Sequence, residues 1–285
     1  MRVFLAAGFF VAYCILLALY VFGPVFLLLK RLSDAAGSQK KLMKTYGLLF
    51  LLGGLSTIPA VFLERFLSWA LKPDDLTALG CFKDSFIVAG FCEEFVKFAA
   101  LFFIVRSSVR FKSYASGASF AAFVSLGFAF VENVEYVLEG AFYAGMQGAF
   151  ITALVRALTS IPGHFVFSVF MGYFLALAVF GKKKGVNVFR SDVTMSEWTP
   201  KRRKNFFRNL ALAFVAPVAA HGIYDFFVMY SGSDSELSGL SYVVFLFVLC
   251  GECALAKIAV ESLIMKDATL LAKKGDLSGY DKMRD

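Results

Sequence analysis

Charge is scarce in this sequence. Only 18% of its 285 residues are Asp, Glu, Lys or Arg, whereas 59% are hydrophobic and the mean hydropathy is +0.71. A soluble domain of this length carries more charge and fewer long apolar runs, so this composition excludes a soluble globular protein. The sequence instead predicts an all-α fold, a polytopic membrane helix bundle.

Histidine and cysteine are scarce as well. There are two histidines and five cysteines, and four of the cysteines lie inside apolar stretches, which excludes a disulfide framework. The sequence contains no His-Glu-x-x-His motif and no internal repeat. The first absence counts against a zinc protease of that type, and the second counts against a transporter built from inverted repeats.

Seven apolar stretches are each long enough to cross a bilayer, because roughly 20 helical residues span ~30 Å of hydrocarbon. The longest, at 142–180, is broken by Pro162-Gly163, since proline removes a helical hydrogen-bond donor. We predict a re-entrant or interfacial helix over 142–159 and one crossing over 162–180. The total is seven crossings, with eight as the alternative. The apolar stretches lie at about 3–29, 47–71, 85–105, 114–138, 142–180, 206–230 and 240–264.

The net charge of +8 is concentrated in alternate loops. This is the positive-inside pattern, so we predict a multi-pass protein of the cell membrane with an extracytoplasmic N-terminus and a cytoplasmic C-terminus. The positive charge is then a topology signal, and we expect contact with the lipid bilayer and no nucleic acid. Residues 1–264 are predicted to form one transmembrane domain, and 265–285 a cytoplasmic tail. The basic loops lie at 30–46, 106–113 and 181–205, and the loops poor in base at 72–84, 139–146 and 231–239.

Two adjacent carboxylates, Glu93 and Glu94, lie inside the apolar stretch 85–105, with Lys97 one helical turn away. Ionised groups in hydrocarbon are costly unless they are paired or hydrated. A salt bridge to Lys97 explains one glutamate and leaves the second unpaired. Two carboxylates that share a site divide into a proton acceptor and a proton donor. The pair therefore predicts a functional site that can activate a water molecule.

Other polar side chains lie at a similar predicted depth. Glu132 and Asn133 stand near the end of the fourth stretch, and both histidines, His164 and His221, lie in apolar stretches. Asp225 follows His221 by one helical turn, where a carboxylate can orient the imidazole. Counted from the outer ends of their spans, Glu94, Glu132 and His221 lie ~9–14 Å deep, and His164 follows the outer break. We expect one site in the outer half of the membrane.

Four motifs follow one another between residues 93 and 225: Glu93-Glu94-x-x-Lys97, Phe128-x-x-x-Glu132-Asn133, a proline-linked His164 with Gly172 downstream, and His221-x-x-x-Asp225. Together they resemble the PrsW family of intramembrane proteases. That family is similar to the CAAX-processing endopeptidases and the bacteriocin-immunity homologues. Lys97 and Asp225 differ from the Arg and Asn usual in this wider group, so prenylated substrates are not implied.

The resemblance implies hydrolysis of a peptide bond in a membrane-anchored protein substrate, with anti-sigma factors as the family's known example. The residues permit a mechanism without a cofactor, in which a glutamate activates water and a histidine stabilises the oxyanion. The predicted depth places cleavage near the extracytoplasmic side. The predicted catalytic residues are Glu93, Glu94, Glu132, His164, His221 and Asp225, supported by Lys97, Asn133 and Arg156, of which Arg156 is a candidate ion-pair partner for an acid.

Two other functions would use the same side chains. A zinc protease would hold Zn²⁺ through His164, His221 and Glu94, with the other glutamate as base. A non-enzymatic transporter, receptor or scaffold would use the acids and histidines to bind protons and a ligand. Metal-independent hydrolysis is favoured, and which glutamate is the base is left open.

Overall fold

The structure is a computed structural model that describes residues 40–74, 77–107, 111–181, 199–232 and 237–273. All regular structure in these residues is helical, as predicted. The stretch 3–29 lies outside them. The helices are α1 (Lys40–Leu55), α2 (Thr57–Leu71), α3 (Ala78–Phe82), the π-helix π1 (Lys83–Gly90), α4 (Phe91–Ser107), α5 (Tyr114–Leu158), α6 (Ser160–Phe180), α7 (Pro200–Ser231) and α8 (Ser238–Lys273).

Four segments of the described residues are long and apolar enough to cross a membrane, so the prediction of seven crossings is not confirmed. The predicted stretches 114–138 and 142–180 fall in one of these segments, which has 67 residues and consists of α5 and α6. The stretch 85–105 is not among the four, and it is the one that carries the Glu93-Glu94 pair and Lys97. The four segments are Met43–Leu71, Tyr114–Phe180, Pro200–Ser231 and Ser238–Leu270.

Helix α5 folds back on itself at Ala144-Gly145, where both residues leave the helical conformation and Gly145 has a φ of +62°. Glycine takes such a φ without strain because it has no Cβ. Beyond this turn, residues 146–158 pack against the end of the preceding arm, with Val137 in a cluster with Ala149 and Ala153. The returning arm is the segment for which a re-entrant or interfacial helix was predicted.

The break expected at Pro162 lies three residues earlier. Thr159 has a φ of −120° and separates α5 from α6, which begins at Ser160. Pro162 falls in the first turn of α6, where a backbone N–H has no intrahelical partner to lose. Proline therefore marks the start of this helix and does not interrupt it.

The first arm of α5 is the centre of the bundle and is almost entirely buried from Tyr114 to Ala129. It approaches α1 and α6 so closely that glycine is required at the contacts. A Cβ on any of these glycines would collide with backbone atoms of the facing helix. Small residues allow helices in membranes to pack at such short distances. In the α1 contact the glycines are Gly53, which faces the backbone of Val124, and Gly127, which faces the backbone of Phe50; in the α6 contact they are Gly117 and Gly172, which face each other.

Candidate active site

Lys97 is the centre of the site. Its Nζ lies 2.9 Å from Oε2 of Glu93, 2.9 Å from Oε1 of Glu94 and 3.1 Å from Nδ1 of His164. The side chain is only 1% exposed, and its ammonium stands 4.0 Å from the centroid of the Phe128 ring, a cation–π distance. Lys97 therefore binds both carboxylates of α4 and joins them to α6.

A chain of polar contacts continues from His164 into both arms of α5. Its Nε2 lies 2.7 Å from Glu132, whose other oxygen is 3.1 Å from Nη2 of Arg156. Arg156 also donates from Nε to Asn133 at 2.6 Å. Because an ammonium only donates, Nδ1 of His164 accepts from Lys97. The Nε2 of His164 then carries the hydrogen, and this imidazole is neutral.

His221 has a different environment, between two carboxylates. Its Nδ1 lies 3.0 Å from Oε1 of Glu94, and its Nε2 lies 3.1 Å from Oδ2 of Asp225. Two ionised carboxylates can only accept, so a neutral imidazole with one hydrogen cannot satisfy both. An additional proton is therefore held on His221 or on Glu94. The ring stacks on Phe167 at 4.7 Å and is 5.5 Å from the ring of His164.

The π-helix brings the two glutamates to His221. π1 ends at Gly90, immediately before the turn that carries Glu93, and π-helical turns are frequent at functional sites. A Cβ on Gly90 would lie 3.3 Å from backbone atoms of Val218 and Gly222, and a Cβ on Gly222 would enter the Phe86 ring. Two glycines thus let π1 and α7 touch at the level of the site.

Glu93 and Glu94 differ in what they face. Glu93 is 6% exposed and lines two adjoining cavities of about 380 and 300 Å³, whereas Glu94 is 0% exposed. Oε2 of Glu94 has no hydrogen-bond partner among the described residues. The larger cavity is lined by further acids, including Glu64 and Glu135, and the smaller one by both histidines, Arg156 and Asp225. Only Glu93 of the pair can meet a water molecule or a substrate there.

The structure brings all of the sequence-predicted site residues into this one network; their catalytic roles stay predictions. Sequence reasoning missed Phe167, which is three residues after His164 and on the same helical face. It also missed Ser160, which accepts from Nη2 of Arg156 at 3.0 Å. Neither carries a distinguishing signal, because phenylalanine occurs 35 times in the chain and serine binds many kinds of partner. The predicted residues are Glu93, Glu94, Lys97, Glu132, Asn133, Arg156, His164, His221 and Asp225.

Comparison with known proteins identifies the family. Residues 42–251 match the family described as PrsW family intramembrane metalloprotease. The chain belongs to the PrsW family. It is 27% identical over 201 residues to Protease PrsW of Oceanobacillus iheyensis, covering 70% of this chain and 77% of that protein. It is 30% identical over 198 residues to Protease PrsW of Bacillus subtilis, covering 70% and 75%. No solved structure matches the chain.

Membership of PrsW confirms the resemblance carried by the four motifs and supports a membrane protease. It favours the enzyme over the transporter, receptor and scaffold alternatives. The multi-pass membrane location agrees with several apolar helices in the described residues.

The family description names a metal, and three possible metal-binding side chains lie close together among the described residues. Atoms of Glu93, Glu94 and His164 lie within 4.8 Å of one another. Their arrangement does not fit a metal ion, because Nζ of Lys97 lies between them at 2.9–3.1 Å. These are hydrogen-bond distances to an ammonium, whereas zinc binds oxygen and nitrogen at roughly 2.0–2.2 Å.

The alternative zinc ligands meet the same obstacle. Nδ1 of His164 faces Lys97, and Nδ1 of His221 faces Glu94. The Nε2 atoms of the two rings contact Glu132 and Asp225. Every ring nitrogen already has a protein partner in this arrangement.

Proposed function

We propose that this PrsW protease hydrolyses a peptide bond with a water molecule activated by Glu93 and without a metal ion. The observation that carries the proposal is the position of Glu93, a buried carboxylate held by Lys97 at the junction of two cavities. Glu94 has a supporting role, because it is enclosed between Lys97 and His221. This assignment distinguishes the two glutamates by access.

In the first step, the carboxylate of Glu93 takes a proton from water while the water oxygen bonds to the carbonyl carbon of the substrate. The carbonyl electrons move to the oxygen, which becomes an oxyanion. In the second step the oxyanion reforms the carbonyl, the C–N bond breaks, and Glu93 returns its proton to the leaving nitrogen. The water is consumed, and Glu93 ends in its starting state.

His221 is the group placed to stabilise the oxyanion. It lines the smaller cavity, and its Nε2 lies 4.0 Å from Oε2 of Glu93. Asp225 fixes the ring, as carboxylates beside functional histidines do. In this arrangement the Nε2 of His221 bonds to Asp225, so in our proposal its N–H is shared with the oxyanion when the substrate binds. His164 acts indirectly, because it positions Lys97 through its contact with Glu132, which is paired with Arg156.

The substrate we propose is a membrane-anchored protein of the anti-sigma-factor type, cut near the extracytoplasmic side. Family membership and the predicted outer position of the site support this assignment. The larger cavity leads from Glu93 past Glu64 and Glu135 toward Glu139, beside the helix ends joined by the loops that are poor in base.

The test is the cleavage of a single-span peptide that the wild-type protein cuts in detergent. Glu93→Gln removes the proton acceptor at nearly constant volume, so we expect kcat to fall by roughly 100-fold or more with little change in KM. Glu261→Gln is the control, because that side chain is 61% exposed on α8 and pairs only loosely with Lys257, at 3.9 Å. A folded Glu93→Gln variant that cleaves at the wild-type rate would contradict the proposal.

A further inference from the structure

We infer that Lys97 occupies a latent divalent-cation site, and that removing its ammonium converts the site into one that binds Zn²⁺ or Co²⁺. The inference rests on the proposed function in one respect: it takes Lys97 as the cation that stands beside the catalytic Glu93 in place of a metal ion. The binding itself is independent of proteolysis and is tested without a substrate.

The first support is the convergence of donors. Glu93, Glu94 and His164 come from two helices, yet each directs one donor atom at the same point, where Nζ of Lys97 stands. Two carboxylates and one imidazole are a ligand set that zinc accepts, with water in the fourth position. All three side chains are buried, so the surrounding helices hold their donor atoms in place.

The second support is an unused ligand atom. Oε2 of Glu94 is buried and has no hydrogen-bond partner among the described residues. A buried carboxylate oxygen without a partner is stabilised when a cation binds both oxygens of its group. An ammonium donates to Oε1 at 2.9 Å and leaves Oε2 bare, whereas a metal ion can be bound by both.

The third support is the hydrogen bond that holds the other ring nitrogen of His164. The far nitrogen of His164 is held by Glu132 at 2.7 Å, which in turn is paired with Arg156. Metal-binding histidines commonly donate their other N–H to a carboxylate in this way, which fixes the tautomer. The Nδ1 of His164 is therefore already oriented to bind a cation.

In the wild-type protein the lysine excludes a metal for two reasons. Its ammonium takes up the space between the donors, and a divalent ion beside it would face a buried like charge with no water between them. Lys97 thus neutralises the paired carboxylates with a cation that belongs to the chain. The PrsW family description names a metal, and in this chain the lysine stands where the donors would hold it.

Lys97→Met tests the inference. Methionine keeps most of the lysine stem but is one atom shorter, so it vacates the position of Nζ and removes the charge. In purified protein in detergent, we expect about one Co²⁺ per chain by equilibrium dialysis, with the visible absorption of a protein-bound cobalt ion. Wild-type protein and Lys97→Arg, which keeps the cation, should bind none. In Lys97→Met/Glu94→Gln the cobalt should be lost again.

The matched control is Lys257→Met, because Lys257 is 77% exposed on α8 and its loss should create no cobalt site. A folded Lys97→Met variant without bound cobalt would overturn the inference. So would stoichiometric cobalt in the wild-type protein that disappears in Glu94→Gln, and this measurement does not depend on the folding of any Lys97 variant. Either result leaves the Glu93→Gln test of hydrolysis unaffected.

Discussion

The two histidines hold their protons differently because their neighbours differ. His164 stands between a cation and a carboxylate, so it is neutral and its tautomer is fixed. His221 stands between two carboxylates, so it shares an additional proton with Glu94. His164 thus connects Lys97 to Glu132, whereas His221 and Glu94 together hold one additional proton beside Glu93. Buried ionic groups tolerate such proximity only when each has partners.

Arg156 is the residue whose loss we expect to unbalance this network. Arg156→Ala leaves Glu132 without its cation in a site where the two side chains are only 18% and 17% exposed. Removal of one partner of a buried pair costs about 3–5 kcal/mol, and this partial exposure favours the lower value. We expect a drop of ~3 kcal/mol in the free energy of unfolding, measured by denaturation in detergent, together with slower cleavage.

The double variant Arg156→Ala/Glu132→Gln supplies the control for Arg156. If the cost comes from an unpaired carboxylate, neutralising Glu132 should recover part of the lost stability. Arg156→Lys should be less stable than the wild type, because lysine cannot donate to Asn133 and Ser160 together as the guanidinium does. Equal stability of wild type and Arg156→Ala would show that the pair is not needed.

The contacts of single residues could be predicted only where spacing on one helix determines them. Lys97 follows Glu93 by four residues and Glu94 by three, so their pairing was expected from the sequence. The contact of Lys97 with His164 spans 67 positions, and no local pattern predicts it. The same holds for the two cavities, because they lie between helices and depend on how the bundle packs.

At the scale of elements, the site depends on how closely π1 approaches α7. Phe86 and Gly222 are the contact, and Gly222 is the neighbour of His221 in the chain. A side chain at position 222 would push α7 away from the glutamates. Misplacement of a catalytic group by about 1 Å can cost roughly 100-fold in rate.

Gly222→Ala is therefore expected to lower both stability and activity. Overpacking of a close contact costs about 1–3 kcal/mol, and the gain in helix propensity of up to ~1 kcal/mol offsets part of it. His221 moves with the backbone of its neighbour Gly222. We therefore expect kcat to fall even at temperatures at which the variant is fully folded. Both quantities are measured on the same detergent-purified protein.

Two further variants isolate the contact with Phe86. Gly222→Ala/Phe86→Ala removes the obstructing ring, so it should recover activity relative to Gly222→Ala. Gly251→Ala is the matched control, since no atom lies within 4 Å of a Cβ at that glycine in α8. If Gly222→Ala behaves like Gly251→Ala, the approach of π1 to α7 does not position the site.

The elements themselves were predictable from apolar runs, but their interruptions were not. Proline at 162 indicated a break, yet proline is compatible with the first turn of a helix, and the chain departs from helix at Thr159. The turn at Gly145 contains no proline, and the nearest other glycines, Gly140 and Gly148, are isolated residues that do not mark a turn. The π-helix before Glu93 leaves no trace in composition, because a wider turn needs no special residue.

At the scale of the whole molecule, the number of crossings and their direction are separate questions. Length and composition identify four candidate spans in the described residues, and they do not give direction. Direction is predicted from the alternation of basic loops, which is a property of the sequence. The orientation therefore stays a prediction that experiment must decide, and the side on which the substrate is cut depends on it.

Cysteine labelling decides the orientation. In a chain whose five native cysteines are replaced by serine, Lys72→Cys and Glu139→Cys should react with a membrane-impermeant maleimide added to intact cells, because both lie beside loops poor in base. Arg106→Cys and Lys201→Cys should react only after the membrane is opened. All four positions are exposed, so packing does not limit access of the reagent to the introduced cysteines. The reverse pattern would overturn the predicted orientation.

The site of cleavage follows from the same orientation. The larger cavity is lined by residues from Glu93 to Glu139, so we expect the substrate to enter from the side on which Glu139→Cys is labelled. A predicted depth of ~9–14 Å corresponds to about six to nine helical residues. We expect mass spectrometry of the products from a single-span substrate to place the cut bond within roughly nine residues of its extracytoplasmic boundary. A cut at the opposite end of the span, with the labelling pattern as predicted, would mean that the cavity is not the route to Glu93.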